Sequence, residues 1–337
     1  MKYRTLGATG FTVSEFALGT MMLGAMGNTD HDESIAMIRT ALDAGINFVD
    51  TADVYSGGES EEIVGKALVG RRDDVVLATK FGLPMGDDPN RRGASRRWIA
   101  TAVEDSLRRL GTDRIDLYQL HRADYETDVD ETLSALSDLV RAGKIRAFGS
   151  STQPADYIVE GQWAAARGGH HRHLSEQPRY SILNRGIEVA VLPTVERYGM
   201  GVLSYGPLGS GWLSGRSDVT RGHRVARAPQ AFDLSIPGNQ AKADAVTKLS
   251  ALAAEAGLSL PHLATAFPLA HRAITSVIVG PRTPKQLQDS LDGADVELSN
   301  DILDRIDEIV APGTDVNPAD NYSADPPSLR DKALRRR

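Results

Sequence analysis

The hydrophobic positions of this chain fall into two alternating patterns. Short runs of consecutive apolar residues, many of them β-branched or aromatic, are bounded by turn residues, which is typical of buried parallel strands. The stretches between them carry apolar residues every three or four positions, which is the spacing of one helix face. We predict strands over residues 16–20, 47–52, 75–80, 115–121, 145–150, 174–177, 201–205 and 276–280.

The amphipathic stretches predict helices that alternate with these strands, over residues 32–44, 60–68, 95–110, 131–142, 154–166, 193–198, 240–256, 260–270 and 284–291. In the third of them we expect Ser95 to be the N-cap and Gly111 the terminator. Eight strands in repeated β-then-α order are the number that closes a parallel barrel with right-handed crossovers. We therefore predict an α/β fold, a (β/α)8 TIM barrel with an N-terminal β-hairpin around residues 7–10 and an extra C-terminal helix over residues 299–310.

Two segments do not follow the repeat. Residues 206–239 are rich in Gly, Arg and Ser, and we predict a loop there, because long loops on the catalytic face of a barrel often cover ligands. Residues 1–311 are expected to form a single barrel domain, and residues 312–337 a partly disordered tail that ends in three arginines. The basic end over residues 330–337 is interpreted as solubilising.

Composition excludes several classes of function. The chain has 337 residues, of which 41% are hydrophobic and 25% charged, as in ordinary soluble proteins. The net charge of −7 gives no overall basic field for nucleic acid. Because there is no cysteine, disulfides, thiolate nucleophiles and Cys-ligated metals are excluded. No window approaches a membrane span and the first residues lack an apolar signal core, so we expect a cytoplasmic protein without membrane association.

Two local patterns are discounted. The glycines of residues 206–211 lack the last glycine and the first βαβ setting of a dinucleotide-binding fingerprint. His170, His171 and His173 lie in a polar connection with no matching carboxylate pattern, and a solvated loop explains them better than a metal cluster. No metal site is expected.

Four ionisable residues follow apolar runs in the first part of the chain: Asp50, Tyr55, Lys80 and His121. Since the carboxyl ends of barrel strands converge on one face, these side chains can meet there. A lysine ammonium lowers the pKa of a neighbouring tyrosine, and an aspartate keeps that lysine charged and oriented. His121 could hydrogen-bond a substrate oxygen. Such a set would protonate a developing alkoxide, with a hydride arriving from elsewhere. Taken singly, each residue is equally explained by an ion pair or by packing.

The segment at residues 45–55, followed by Glu59 and Gly65, resembles the first signature of the aldo-keto reductase family. The resemblance continues through residues 106–121, 176–181, 204–211 and 280–287, and thus covers nearly the whole chain. It implies a barrel that binds NADP(H) in extended form and reduces aldehydes or ketones, with Tyr55 as the acid, Lys80 and Asp50 as its tuning pair, and His121 as the orienting residue.

The resemblance also implies cofactor contacts, at Thr20, Asp50, Ser151, Gln177, Tyr205, Gly206, Leu208, Ser210, Gly280, Arg282, Gln286 and Ser290. Tyr205 would stack on the nicotinamide, while Ser151 and Gln177 would hold its carboxamide. Arg282 would meet the 2′-phosphate, which favours NADPH over NADH, although a solvated arginine before a helix is the alternative.

Two positions depart from the family pattern. Thr152 stands where asparagine usually follows the serine after the fifth strand, which weakens the inferred second contact to the carboxamide. Ser290 stands where asparagine often contacts adenine, and a serine can make fewer hydrogen bonds than an asparagine.

The leading hypothesis is NADPH-dependent reduction of a small carbonyl compound. One alternative is a Schiff-base lyase that uses Lys80 as its nucleophile. Another is a cofactor-sensing subunit, since potassium-channel β subunits resemble this family, although the short stretch before the first hairpin disfavours it. We expect the substrate pocket to be lined by Met21, Met22, Phe81, Arg122 and Trp212. Arg122 would favour a polar or anionic carbonyl compound, and the oligomeric state stays open.

Overall fold

Eight parallel strands close into a barrel in the computed structural model, which describes residues 1–216, 223–321 and 331–335, without the side chains of residues 223 and 224. Each barrel strand pairs with its neighbours in the sequence, and the last strand closes the ring by pairing with both the first and the seventh. The predicted (β/α)8 barrel is confirmed. The strands are β1 (Tyr3–Thr5), β2 (Thr12–Ser14), β3 (Phe16–Gly19), β4 (Phe48–Asp50), β5 (Val76–Phe81), β6 (Ile115–Leu120), β7 (Ile145–Ser151), β8 (Ser175–Gln177), β9 (Gly201–Tyr205) and β10 (Ser276–Val279).

Helices follow the barrel strands and pack around them. They are α1 (His31–Asp43), α2 (Glu59–Ala67), α3 (Arg96–Leu110), α4 (Val129–Arg141), α5 (Ala155–Gly168), α6 (Val191–Arg197), α7 (His223–Arg227), α8 (Pro237–Glu255), α9 (Leu260–Ala270), α10 (Pro284–Asp292) and α11 (Asn300–Ile309). The predicted ends of α3 are confirmed: the Ser95 side chain accepts a hydrogen bond from the Trp98 backbone N–H, and Gly111 has a left-handed conformation. Helix α11 is the predicted extra C-terminal helix.

The hairpin of β1 and β2 lies at the amino-terminal end of the barrel. Its strands are antiparallel, with Tyr3 opposite Ser14. Leu6, in the connection between them, is fully buried and contacts Gly201, the first residue of β9. The hairpin therefore covers the end of the barrel opposite to the carboxyl ends of the strands, and leaves the carboxyl ends to form a site.

The segment predicted as one long loop is more structured than expected. Helix α7 lies inside it, and α8 begins at Pro237 rather than at Gln240. Proline is favoured in the first turn of a helix, because its fixed φ suits that turn and no N–H is needed there. Residues 217–222 of this predicted loop lie outside the described residues.

The first part of the predicted tail packs against the barrel. The backbone N–H of Val316 donates to the Leu183 carbonyl at 3.0 Å, and Lys242 Nζ donates to Asp320 Oδ2 at 2.8 Å. The expectation of disorder concerns residues further on, and residues 322–330, 336 and 337 lie outside the described ones. Within the described part of the chain, no helix combines the length and the apolar character needed to cross a membrane.

Candidate functional site

The period-two alternation of β4 and β5 turns Asp50 and Lys80 into the barrel. Phe48 and Ala78 belong to the apolar cluster inside the barrel, whereas Val49 and Leu77 belong to the cluster beneath the helices. Because successive side chains of a strand point to opposite faces, Asp50 and Lys80 share the inward face of Phe48 and Ala78. The apolar residues before them therefore fix the direction of both charged side chains.

Asp50, Lys80 and Tyr55 form one connected group. Lys80 Nζ donates to Asp50 Oδ2 at 2.6 Å, to the Thr51 carbonyl at 2.8 Å, and lies 3.2 Å from the Tyr55 hydroxyl. The side chains of Lys80 and Asp50 are 1% and 3% exposed. The ammonium group thus has a full set of acceptors, one of them the hydroxyl that faces the cavity described below.

Two amides hold the second oxygen of the Asp50 carboxylate. Gln177 Nε2 donates to Asp50 Oδ1 at 2.8 Å, and Gln119 Nε2 donates to the same oxygen at 3.2 Å. The sequence analysis assigned no role to Gln119. Its signal was its position on β6 two residues before His121, since residues two apart on a strand share a face.

The turn after β4 determines where Tyr55 lies. Ser56, Gly57 and Gly58 all have positive φ, at 51°, 68° and 104°, which reverses the chain directly after Tyr55. The Tyr55 ring meets the His121 ring edge-on, with centroids 5.8 Å apart. The tyrosine and the histidine, which follow different strands, therefore lie side by side.

The pKa values of this group are governed first by burial. Burial by itself lowers the pKa of Lys80, but attraction to Asp50 and to Tyr55 and hydrogen bonds to both outweigh it, so the pKa of Lys80 is raised. Burial raises the pKa of Tyr55 although the Lys80 charge opposes it, so the net lowering expected from the sequence is wrong for this state of the protein. Burial, then the charges of Lys80 and Arg122, hold the pKa of His121 well below its usual range. At neutral pH the site presents a protonated tyrosine, a protonated lysine and a neutral histidine.

A cavity of about 1080 Å³ opens at the carboxyl ends of the strands. Tyr55 and His121 line it, and Nδ1 of His121 is buried without a hydrogen-bond partner among the residues that the structure describes. All the residues predicted to contact the cofactor line the same cavity: Thr20, Asp50, Ser151, Gln177, Tyr205, Gly206, Leu208, Ser210, Gly280, Arg282, Gln286 and Ser290. Lys80 does not line the cavity, but it contacts two residues that do, Tyr55 and Asp50.

The end of the cavity near α10 is cationic. Arg282 and Lys285 both line it, and the Arg282 backbone N–H donates to Gln286 Oε1 at 2.8 Å. No role was predicted for Lys285 from the sequence; its signal was its place three residues after Arg282, in the first turn of a helix. The Ser290 hydroxyl donates to the Gln286 carbonyl at 3.0 Å, so its proton is already used within the helix.

Hydroxyl and amide groups line the end near Tyr55. Ser151 Oγ donates to the Gln177 carbonyl at 3.0 Å, and Thr152 Oγ1 lies 3.3 Å from the Tyr205 hydroxyl. Thr152 has a φ of 55°, which is rare outside glycine and marks a tight turn after β7. Hydroxyl and amide groups thus line the end near Tyr55, whereas the charged residues Arg282, Lys285 and Asp289 line the end near α10.

Three of the five residues predicted to line the substrate pocket do so. Met21, Met22 and Arg122 face the cavity. The prediction is wrong for the other two, because Phe81 stacks on Tyr118 and Trp212 stacks on Phe232, and both are buried in the hydrophobic core. Phe81 directly follows the inward Lys80, so the strand alternation turns it outward.

Metal ligands do not cluster in residues 1–216, 223–321 or 331–335: no group of three such side chains there could hold an ion. His173 is buried against Phe148, and burial lowers its pKa to about 4. His170 Nε2 lies 3.3 Å from Asp130 Oδ1, and the His170 side chain is 13% exposed, so the expectation of a solvated loop is wrong for His170 and His173.

Comparisons with known proteins agree over almost the whole chain. The profile of the Aldo/keto reductase family matches residues 15–311. The chain is 37% identical to the uncharacterized oxidoreductase YrpG of Bacillus subtilis, over 92% of this chain and 96% of that protein. It is 33% identical to a probable voltage-gated potassium channel subunit beta of Oryza sativa, over 92% and 97% of the two chains. It is 32% identical to the versiconal hemiacetal acetate reductase of Aspergillus parasiticus, over 93% and 98%.

Proposed function

Because the chain belongs to the aldo/keto reductase family, we propose that it reduces an aldehyde or ketone to an alcohol, with NADPH as hydride donor and Tyr55 as proton donor. One observation carries the proposal above all: a buried lysine, paired with Asp50 at 2.6 Å, lies 3.2 Å from a tyrosine hydroxyl that faces a large cavity. Lys80 does not line the cavity, as a nucleophile would, whereas Asp50 lines it and is paired with Lys80.

The proton chemistry follows from the charges around Tyr55. A nicotinamide cofactor held by residues such as Ser151, Gln177 and Tyr205 would supply the hydride. The Tyr55 hydroxyl donates its proton to the carbonyl oxygen, so that hydride and proton together complete the two-electron reduction. Lys80 stabilises the phenolate that remains, because its ammonium lies within hydrogen-bond distance of the phenol oxygen. Asp50 keeps Lys80 protonated and in place, and the amides of Gln119 and Gln177 fix Asp50.

His121 orients the substrate in this proposal. Its low pKa keeps the imidazole neutral, so it can donate one hydrogen bond to the carbonyl oxygen without competing with Tyr55 for the role of acid. The edge-on contact keeps the two rings side by side at the cavity wall.

The cofactor would lie along the cavity between its two ends. Tyr205 would stack on the nicotinamide, with Ser151 and Gln177 at the carboxamide. Arg282 and Lys285 would meet the 2′-phosphate, which is the basis for NADPH rather than NADH, since guanidinium and ammonium groups bind phosphate strongly. The cavity is large enough for a dinucleotide together with a small substrate.

The test is an NADPH-consumption screen over aliphatic, aromatic, sugar and keto-steroid carbonyls, with Tyr55→Phe as the partner variant. We expect turnover by the wild type, and loss of turnover in Tyr55→Phe with NADPH affinity retained, as measured by quenching of tryptophan fluorescence. Full activity in Tyr55→Phe would overturn the assignment of the acid.

A cofactor-sensing subunit is the second candidate, because relatives named as potassium channel β subunits match at 31–33% identity. This candidate function predicts that the protein binds NADPH tightly and reduces every carbonyl in the screen at a negligible rate. The Schiff-base alternative is disfavoured by the raised pKa of Lys80, since an ammonium has no lone pair for attack. Borohydride trapping of an aldehyde on Lys80 would revive it.

A further inference from the structure

Arg122 is a cation at the cavity wall. Its Nη1 atom donates to the His121 carbonyl at 2.6 Å and to Thr152 Oγ1 at 3.1 Å, and both acceptors are neutral. Its Nε and Nη2 atoms donate to no residue in the described part of the chain, and no carboxylate of that part forms an ion pair with it. A guanidinium carries five N–H donors, so most of its capacity is left for a ligand.

The charge of Arg122 influences the Glu176 carboxyl group, but the two side chains do not form an ion pair. The Glu176 oxygens are taken by Ser150 Oγ at 2.5 Å and by the Gln153 backbone N–H at 3.0 Å. A partly buried charge without an opposite charge is unfavourable, and an anion brought by a ligand would relieve it.

Arg122 faces the reacting end of the cavity. It follows His121 directly, and it lines the same cavity as the Tyr55 hydroxyl. The rest of the wall near this end is mostly apolar, with Met21, Met22, Met26, Val54 and Leu83. A partly buried cation beside these apolar side chains selects for an anionic group, whereas the apolar side chains accommodate an apolar linker between that group and the carbonyl.

From this arrangement we infer that Arg122 forms an oxyanion subsite, and that the preferred substrates are aldehydes or ketones carrying a carboxylate or a phosphate on an apolar body. The guanidinium fork binds either oxyanion in bidentate fashion. The His121 carbonyl and Thr152 Oγ1 accept hydrogen bonds from Nη1 and thereby position the guanidinium group. The inference rests on the proposed reduction for its substrate, but the subsite itself can be tested without turnover.

The kinetic test compares acids with neutral partners of the same skeleton. The pairs are 5-oxopentanoate with its methyl ester, 4-carboxybenzaldehyde with its methyl ester, and glycolaldehyde phosphate with glycolaldehyde. A hydrogen-bonded ion pair of this type corresponds to a roughly ten- to hundredfold preference in kcat/KM for the charged partner. We expect Arg122→Gln to bring that ratio close to one, chiefly through KM, and Arg122→Lys to keep part of it.

The matched control is Lys285→Gln, at the far end of the same cavity, which should weaken NADPH binding and leave the ratio of acid to neutral partner unchanged. A preference confined to the phosphate pair would identify a phosphate ester as the source of the oxyanion, and one confined to the carboxylate pairs a carboxylic acid. Equal rates for all charged and neutral partners, or a ratio that survives in Arg122→Gln, would overturn the subsite.

Calorimetric titration of benzoate into the protein saturated with NADPH tests the subsite independently. We expect benzoate to bind the wild type, with an affinity at least tenfold weaker in Arg122→Gln. Titration with chloride at the same concentrations is the control and should give no such binding signal. If benzoate binds in this way and no carbonyl is reduced, the subsite stands and the proposed reductase activity fails. If carbonyls are reduced but benzoate binds the wild type and Arg122→Gln alike, the subsite fails alone.

Discussion

Removal of either partner of the Lys80–Asp50 pair should destabilise the protein, and removal of both should cost much less than the sum. In Asp50→Asn the ammonium of Lys80 stays buried with neutral acceptors only, among them the Thr51 carbonyl and the Tyr55 hydroxyl. Breaking a buried ion pair by removing one partner costs about 3–5 kcal/mol in free energy of unfolding, because the other charge is left uncompensated. We expect Asp50→Asn to lie at the upper end of that range.

Lys80→Met should lie at the lower end. The carboxylate of Asp50 keeps the two amide donors Gln119 and Gln177, at 3.2 and 2.8 Å. Hydrogen bonds to a charged group contribute about 1.5–3 kcal/mol each, so they offset part of the lost ion pair. The double variant carries no buried charge, and it should be about 3 kcal/mol more stable than the sum of the single effects indicates.

The assay is guanidinium unfolding at pH 7 without cofactor, followed in parallel by far-UV circular dichroism and tryptophan fluorescence. If the two probes give coincident unfolding transitions, the free energy of unfolding can be calculated with a two-state model. The exposed pair of Lys144 and Glu104 provides the control cycle, for which we expect a coupling below about 1 kcal/mol. Effects at Asp50 and Lys80 that add to within about 0.5 kcal/mol would refute the reasoning.

Three further predictions concern groups around the barrel. Burial, aided by the charge of Glu61, raises the pKa of Asp53 to about 8, so the folded protein holds a proton that the unfolded chain has released above about pH 4. Stability should therefore fall as pH rises through this window, and relative to Asp53→Asn the wild type should lose about 1.4 kcal/mol per pH unit between about pH 5 and 7 in urea unfolding; parallel curves would contradict this. Gly7→Ala should destabilise severely, because its Cβ would collide with the backbone of residues 199–201, whereas Gly10→Ala, also at positive φ but with nothing within 4 Å, should cost only about 1 kcal/mol, as thermal unfolding of both will show. His121 should stay neutral, so kcat/KM should show no ionisation near pH 6.5; a limb there that disappears in His121→Asn would argue otherwise.

The sequence predicted the barrel and the grouping of its charged residues for the same reason. Strand alternation fixes which residues point inward, and the carboxyl ends of parallel strands lie on one face. Asp50, Lys80 and His121 could therefore be placed together without coordinates, and the structure brings them within reach of Tyr55. Strand alternation after the inward Lys80 also predicts that Phe81 points outward, which argues against its predicted place in the substrate pocket.

Other features depend on packing that no local pattern encodes. The net direction of the pKa shift at Tyr55 depends on how deeply the ring is buried, and the sequence shows only that a lysine is near. The attachment of Val316 and Asp320 to the barrel depends on contacts across more than seventy residues of chain. Which N–H groups of Arg122 donate hydrogen bonds depends on where the neighbouring side chains lie, and this follows only from the three-dimensional structure.

The most direct test of the proposed reduction is the transfer of a label. The protein is incubated with a carbonyl that the screen identifies and with NADPH carrying deuterium at C4 of the nicotinamide in the transferable position, and the product is analysed by mass spectrometry. We expect one deuterium on the carbinol carbon with the wild type, and no labelled alcohol with Tyr55→Phe under conditions where that variant is saturated with NADPH. Alcohol formed without label, or labelled equally by both proteins, would contradict the proposed reaction.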